Sequence, residues 1–161
     1  MEQFIIIFGA KYLILLPILM SVTYFFFQSW RTKKDILIFG ISTIIVIGTL
    51  ALVAGHFYNN PRPFVVENFT PLIPHASDNG FPSDHVLLAS AIAIVVSFYN
   101  RKLAIILWII TIIIAFCRVA VGVHHPVDVI ASIVISILSG VITYLIIKNV
   151  NLHIGNKIKP K

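Results

Sequence analysis

The run Ile36–Ala54, ILIFGISTIIVIGTLALVA, contains no ionisable side chain. A hydrocarbon core about 30 Å thick is crossed by about 20 apolar residues in a helix, so this run reads as a membrane span. The rest of the chain has the same character. Of 161 residues, 58% are hydrophobic and only 11% charged, and the mean hydropathy is +0.98. That composition excludes a water-soluble domain, because too few charges are present to cover a core with a solvated surface.

Four further apolar runs flank the first: Tyr12–Phe27, beginning as early as Phe4, then Val86–Phe98, Leu103–Phe116 and Val127–Ile147. The expected architecture is all-α, a single-domain polytopic membrane helical bundle over residues 1–161 with about five transmembrane helices. They fall near residues 4–29, 35–54, 83–99, 102–118 and 126–147. The third and fourth runs are short for a span, so they borrow the polar flanks 82–85 and 117–123, which then sit at membrane depth. The first run lacks a basic leader and a small-residue cleavage site, so it is retained as a helix with a kink at Pro17.

The basic residues orient the bundle. Arg31, Lys33, Lys34, Arg101, Lys102, Lys148, Lys157, Lys159 and Lys161 make nine of the twelve, and all fall on one side if five spans alternate. That side is expected to be cytoplasmic. The net charge of +6 is scattered between apolar runs instead of forming a basic stripe, which speaks against a nucleic-acid partner. Cys117 is the single cysteine and leaves no internal disulfide.

Arg62 and Arg118 break the charge rule, standing on the side opposite those nine. They belong to two of three polar clusters on that side: NPRP at Asn60–Pro63, FPSDH at Phe81–His85, and CRVAVGVHHPVD at Cys117–Asp128. Segment 55–85 carries five of the eight prolines, a density that predicts a rigid, non-helical extracytoplasmic loop. Segments 55–85 and 118–128 are the two loops expected to form a functional site. Ionisable residues at membrane depth are costly without partners, and mark functional sites.

Each cluster has its own chemistry. Pro126 suits the first turn of the fifth helix, and Asp128 lies four residues after His124, one turn away. A carboxylate on one imidazole nitrogen fixes the tautomer and frees the other nitrogen as nucleophile or base. Arg118 is a permanent planar cation suited to phosphate or carboxylate. Ser83 is a candidate N-cap of the third helix, whose unpaired N–H groups and hydroxyl make an anion site. His85 in the next turn can exchange a proton beside it. Arg62 is held between two prolines. Two arginines, a helix N-terminus and two histidines converge on phosphoryl transfer through a phosphohistidine.

In order, RP at 62–63, PSDH at 82–85 and R-x5-H-x3-D at Arg118, His124 and Asp128 resemble the three-part signature of the type 2 phosphatidic acid phosphatase superfamily. The wider context, NPRPF, LIPHASDNGFPSDH and GVHHPVDV, resembles its bacitracin-resistance branch, whose members are undecaprenyl-diphosphate phosphatases. The resemblance implies that His124 attacks phosphorus, Asp128 orients it, and His85 protonates the leaving group and then activates water. Arg62, Arg118 and Ser83 would hold the phosphoryl oxygens, with Asp84 beside the substrate phosphates. It further implies no cofactor, no metal, and a polyprenyl diphosphate substrate met at the outer face of a bacterial plasma membrane, with the C-terminus cytoplasmic.

Three positions depart from the superfamily pattern. Gly55 stands where a lysine is usual, Cys117 where a serine is usual, and Asp84 where glycine is common. Loss of the lysine removes a phosphate ligand that His56 or the other cations would replace, and loss of the serine removes a hydroxyl that would bind phosphate or brace Asp128.

Plainer readings apply to several of these residues. Alone, His124 and Asp128 read as a capping pair, and only the register with Arg118 turns them towards catalysis. Asp84 divides between tuning of the substrate head group and capping. His56, His75, His125 and His153 read as interfacial or loop residues, His56 and His75 being the nearer to the pocket, and Asp78 and Glu67 as solvated charges. A metal site from His85, His124, His125 and Asp128 has suitable ligand types, but two arginines would repel the cation. The rival functions are a phosphatase for phosphatidylglycerol phosphate or phosphatidic acid, and a non-catalytic lipid-binding or transport protein.

Overall fold

The computed structural model describes residues 2–154, with side chains through residue 150. Lys157, Lys159, Lys161 and the side chain of His153 lie outside the described residues. Seven α-helices follow one another: α1 (Glu2–Lys11), α2 (Leu15–Phe26), α3 (Trp30–Phe57), α4 (Pro63–Val66), α5 (Asp84–Ser97), α6 (Arg101–Ala120) and α7 (Pro126–Ile154). The bundle is all-helical, as expected, but its helices differ from the sequence expectation in number and length.

The span anticipated at 4–29 is two helices, α1 and α2, bent by 47°. The break falls at residues 12–14, just before Pro17 in the first turn of α2. A proline ring collides with the carbonyl four residues earlier, which here belongs to Leu13. The chain responds with a tight turn, Leu15 N–H donating to the Tyr12 carbonyl at 3.0 Å and Leu16 N–H to that of Leu13 at 3.1 Å. The proline therefore acts one turn ahead of itself.

Helix α3 outruns its expected 35–54 at both ends; at its start Ser29 caps it, its Oγ accepting from Thr32 N–H at 3.3 Å. Lys33 and Lys34 then lie over Phe25, Phe26 and Trp30. Asn100 caps α6 in the same way, accepting from Leu103 N–H at 3.1 Å. Helix α6 runs 101–120 and α7 runs 126–154, each beyond its expected end.

The α1–α2 pair, α3, α6 and α7 are long and apolar enough to cross a membrane. Helix α5 is the exception among the five anticipated spans. Its 14 residues extend only about 21 Å, well short of the hydrocarbon thickness. It is also the central helix, packed on α2, α3, α6 and α7. Surrounded in this way, it need not reach both surfaces; Ser83, Asp84 and His85 lie at its N-terminal end.

Small residues let the helices close on α5. A Cβ added at Gly140 of α7 would lie 2.4 Å from Ile94 Cγ1 of α5. Buried hydroxyls in lipid need acceptors, and most take the carbonyl one turn back. Thr43, Thr111 and Ser139 donate to Phe39, Leu107 and Ile135 at 2.7–2.8 Å. Ser90 also reaches across to Ser136 at 2.7 Å, joining α5 to α7.

The proline-rich segment between α3 and α5 contains a single helical turn, α4, where a wholly non-helical loop was anticipated. Pro63 occupies the first helical position and pre-sets its backbone. Asn79 holds the segment together. Its Oδ1 accepts from the N–H groups of Asn60 and Phe81, both at 3.0 Å. Leu72 N–H donates to the Val121 carbonyl at 3.0 Å, fastening the segment to the α6–α7 turn. In that turn Gly122 has φ +80°, and a Cβ there would meet the Phe69 ring at 2.6 Å.

Candidate active site

The N-terminal end of α5, the C-terminal end of α6 and the N-terminal end of α7 meet at one end of the bundle, with the Asn60–Gly80 segment between them. His124 lies in the α6–α7 turn and is 2% exposed. Its Nδ1 is 2.9 Å from the Gly80 carbonyl oxygen and 3.4 Å from Asp128 Oδ2. Both neighbours are acceptors, which assigns the ring proton to Nδ1. Nε2 therefore carries the lone pair. It faces Nη1 of Arg62 and Nη2 of Arg118, each at 3.4 Å.

Burial holds His124 below the usual imidazole pKa of 6.5, and repulsion from Arg118 and Arg62 adds to this against the pull of Asp128. The ring is accordingly neutral at pH 7, as a nucleophile requires. The sequence reading gave tautomer control to Asp128 alone, whereas the shorter contact is the Gly80 backbone. Glycine suits that approach: a Cβ would stand 3.1 Å from the Asn60 carbonyl oxygen and 3.2 Å from Asp128 Oδ2, so the neighbours would have to give way.

Asp128 is wholly buried. Its Oδ1 accepts from Asn60 Nδ2 at 2.7 Å and its Oδ2 from His125 N–H at 2.8 Å. Arg62 is fixed through Nε, which donates to Asp78 Oδ1 at 2.7 Å, and through Nη1, which donates to the Val123 carbonyl at 2.9 Å. Asp78 is thus no solvated loop charge. Its side chain is 60% exposed, yet the Arg62 hydrogen bond holds its carboxyl below the usual carboxylate range.

Arg118 donates through Nη1 to the Ala10 carbonyl at 3.4 Å, and its buried Nε has no partner among the described residues. Ser83 has the backbone of an N-cap but makes no capping hydrogen bond, contrary to the sequence reading. Its N–H donates to Ser132 Oγ at 2.9 Å, leaving Oγ buried and unpartnered. Leaving a buried polar atom unsatisfied costs about 1–3 kcal/mol. Two such atoms sit here on residues suited to an anion. The third among the described residues, Thr143 Oγ1, lies farther along α7.

His85 occupies the first turn of α5, partly buried and within electrostatic range of Arg118 and His124. Asp84, the first residue of α5, is exposed. His75 does line the site, its ring 6.2 Å from that of His124, and burial and Arg62 lower its pKa. His125 Nε2 lies 3.2 Å from the Pro61 carbonyl. Exposed His56 instead packs on Phe57, so no contact brings it to replace a missing lysine. Glu67 is exposed beside a cavity of about 530 Å³ that His124, His125 and Phe69 help to line.

Two departures from the family pattern have local causes. Gly55 lies under the loop leading into α5, where a Cβ would be 3.3 Å from the Phe81 carbonyl oxygen, so a longer side chain requires that loop to give way. Cys117 belongs to an apolar cluster with Ala10, Ile73, Val121 and Val123 and packs on Gly9. Its thiol stands among apolar groups, away from any role in bracing Asp128.

Sequence reading missed Asn60, Asn79, Gly80 and Ser132. The Asn79-Gly80 pair is a turn signal, and Asn60 stands two residues before Arg62, but neither pattern shows what the backbone touches. As a whole, the site places an imidazole lone pair between two fixed guanidiniums, with two unpaired polar atoms nearby. This arrangement can accept an anionic electrophile at Nε2.

The chain is 39% identical over 138 residues to undecaprenyl-diphosphatase BcrC of Bacillus subtilis, covering 84% of this chain and 70% of that protein. It is 26% identical over 141 residues to the bacitracin transport permease protein BcrC of Bacillus licheniformis, covering 87% and 69%. The crystal structure of Aquifex aeolicus LpxE superposes with a TM-score of 0.66 at 28% identity, over 86% of this chain and 80% of that one. The PAP2 superfamily model matches residues 35–152. With that match and the membrane-spanning bundle, the chain belongs to the PAP2 superfamily and is a multi-pass membrane protein.

Proposed function

We propose that this protein is a phosphatase that converts undecaprenyl diphosphate to undecaprenyl phosphate and inorganic phosphate. The observation that carries the reading is His124 itself, with Nδ1 anchored and Nε2 aimed between Arg62 and Arg118. Nε2 attacks the terminal phosphorus in line, the P–N bond forms, and the anhydride P–O bond to the lipid phosphate breaks. Arg62, Arg118 and Ser83 hold the three phosphoryl oxygens as charge develops. Asp128 stabilises the charge that the ring gains. His85 protonates the leaving oxygen, then takes a proton from the water that opens the phosphohistidine. Asp84, exposed at the helix start, sits towards the head group.

The relatives' names and the LIPHASDNGFPSDH context point to a polyprenyl diphosphate. The distribution of lysine and arginine supports a site on the outer face of a bacterial plasma membrane, with the C-terminus inside. Such an enzyme recycles the cell-wall carrier lipid and opposes bacitracin, which sequesters its diphosphate. The mechanism uses no metal and no cofactor.

The test is phosphate release by purified protein in EDTA from undecaprenyl diphosphate, phosphatidylglycerol phosphate and phosphatidic acid, beside His124→Ala. Release from the diphosphate that His124→Ala abolishes is expected. Preference for another lipid overturns the substrate, dependence on metal overturns the mechanism, and silence on every lipid overturns the enzyme.

A further inference from the structure

Asn60 touches both supports of the His124 ring. Its side-chain Nδ2 donates to Asp128 Oδ1 at 2.7 Å, and its carbonyl accepts from Gly80 N–H at 2.9 Å. Asp128 and the Gly80 carbonyl are in turn the two acceptors at His124 Nδ1. The residue has little freedom of its own. Pro61 restricts its backbone to extended conformations, its N–H is taken by Asn79 Oδ1 at 3.0 Å, and its neighbour Pro61 pairs with Asn79 in an antiparallel bridge.

The amide also has one sensible orientation. Turned over, its oxygen would face a carboxylate oxygen at 2.7 Å, so the carboxylate itself selects the NH2 face. Asp128 then meets donors only: the Asn60 amide on Oδ1, and on Oδ2 the His125 N–H with His124 Nδ1–H beyond it. A carboxylate so surrounded is held ionised, with one oxygen reserved for the histidine side.

We propose that Asn60 is a positioning residue: by occupying Asp128 Oδ1 and tethering Gly80, it commits His124 to the Nδ1–H tautomer and leaves Nε2 free for phosphorus. It does not touch the reacting atoms. The proposal rests on the phosphatase reading for its kinetic consequence, but the tautomer can be measured without turnover.

Other titratable or charged groups come from the elements packed around the pair. Arg62 comes from the same segment as Asn60, His75 and Asp78 from the loop before α5, Asp84 and His85 from α5, Arg118 from α6, and His125 from the α6–α7 turn. All of them stay the same in the two substitutions below.

Asn60→Ala removes a donor from Asp128. More of the carboxylate's charge then bears on His124, so the acid limb of kcat/KM moves to higher pH. The expected fall in kcat is about ten- to a hundredfold, with KM changed far less. Asn60→Asp keeps the shape and places two carboxylates in contact, where they share one proton. Its protonated form donates as the amide did, so activity returns at acid pH and is lost as the second proton leaves. The two variants thus shift the pH profile in opposite directions, which a merely structural clamp would not do.

The ring 15N resonances of His124, recorded on substrate-free protein, are expected to show one tautomer in the wild type and a mixture in Asn60→Ala. If the wild type turns over but neither profile nor tautomer moves in either variant, the positioning role is overturned and the phosphatase reading stands. If the wild type is silent on every lipid phosphate while Asn60→Ala still loses its single tautomer, the phosphatase reading falls and the positioning role stands.

Discussion

Replacing Gly80 with alanine puts one methyl group into a crowded backbone position of the site. The added Cβ meets the Asn60 carbonyl oxygen at 3.1 Å, Asp128 Oδ2 at 3.2 Å and Arg62 Cγ at 3.4 Å. Comfortable contacts begin at about 3.5 Å, so the segment must retreat by about 0.3–0.4 Å. The Gly80 carbonyl moves with it, and its contact with His124 Nδ1 lengthens from 2.9 Å to the edge of the hydrogen-bonding range. A hydrogen bond to a group that becomes charged contributes about 1.5–3 kcal/mol, or about ten- to a hundredfold in rate. Gly80→Ala is therefore expected to lower kcat for undecaprenyl diphosphate by that factor. KM should stay within about threefold, because Arg62 and Arg118 keep their anchors. The assay is phosphate release at saturating lipid, with thermal unfolding in detergent to show that the variant is folded. A folded variant with kcat within about twofold of the wild type, or a loss confined to KM, refutes the claim that the Gly80 carbonyl sets the ring.

The same site supports three further expectations. Arg118→Lys should lower kcat about a hundredfold, because an ammonium cannot reach both Ala10 and the Nε2 side as the guanidinium fork does; phosphate release that survives the change counts against the role of the fork. Because burial and the two arginines hold the pKa of His124 below 6.5, the active neutral form persists at pH 7 and is lost only as pH falls past that depressed value. The acid limb of kcat/KM should lie below 6.5, and a midpoint above it would contradict the electrostatics. Gly140→Ala should lower stability by about 1–3 kcal/mol as the new methyl meets Ile94, seen as a reduced Tm that trimming Ile94 to alanine partly restores.

Much of the fold can be read from the apolar runs, since lipid imposes helices and the polar interruptions mark their ends. Those ends explain why Ser83, Arg118, His124 and Asp128 meet, and Arg62 arrives because two prolines fix its segment. What the sequence does not reveal is carried by backbone groups and by packing. The Gly80 carbonyl lies 44 positions from His124, and no side-chain pattern signals it. Asp78 looked solvated because exposure and pairing are independent for a carboxylate at the rim. Pro17 marks the first span as bent, but the break falls a turn earlier, where its ring would collide with the Leu13 carbonyl of an unbroken helix. Helix α5 reads as a short span, and its 14 residues are enclosed by four neighbours. Cys117 reads as a lost hydroxyl in the sequence, whereas in the fold Gly9 and Ala10 of α1 pack against it.

The covalent intermediate is the most direct test of His124. Undecaprenyl diphosphate labelled in its terminal phosphate, mixed with the protein and quenched within the first turnover, should leave the label on the peptide that carries His124. That label should be stable in base and labile in acid, and absent from His124→Ala. Label on any other residue, or undiminished turnover by His124→Ala, would contradict the assignment.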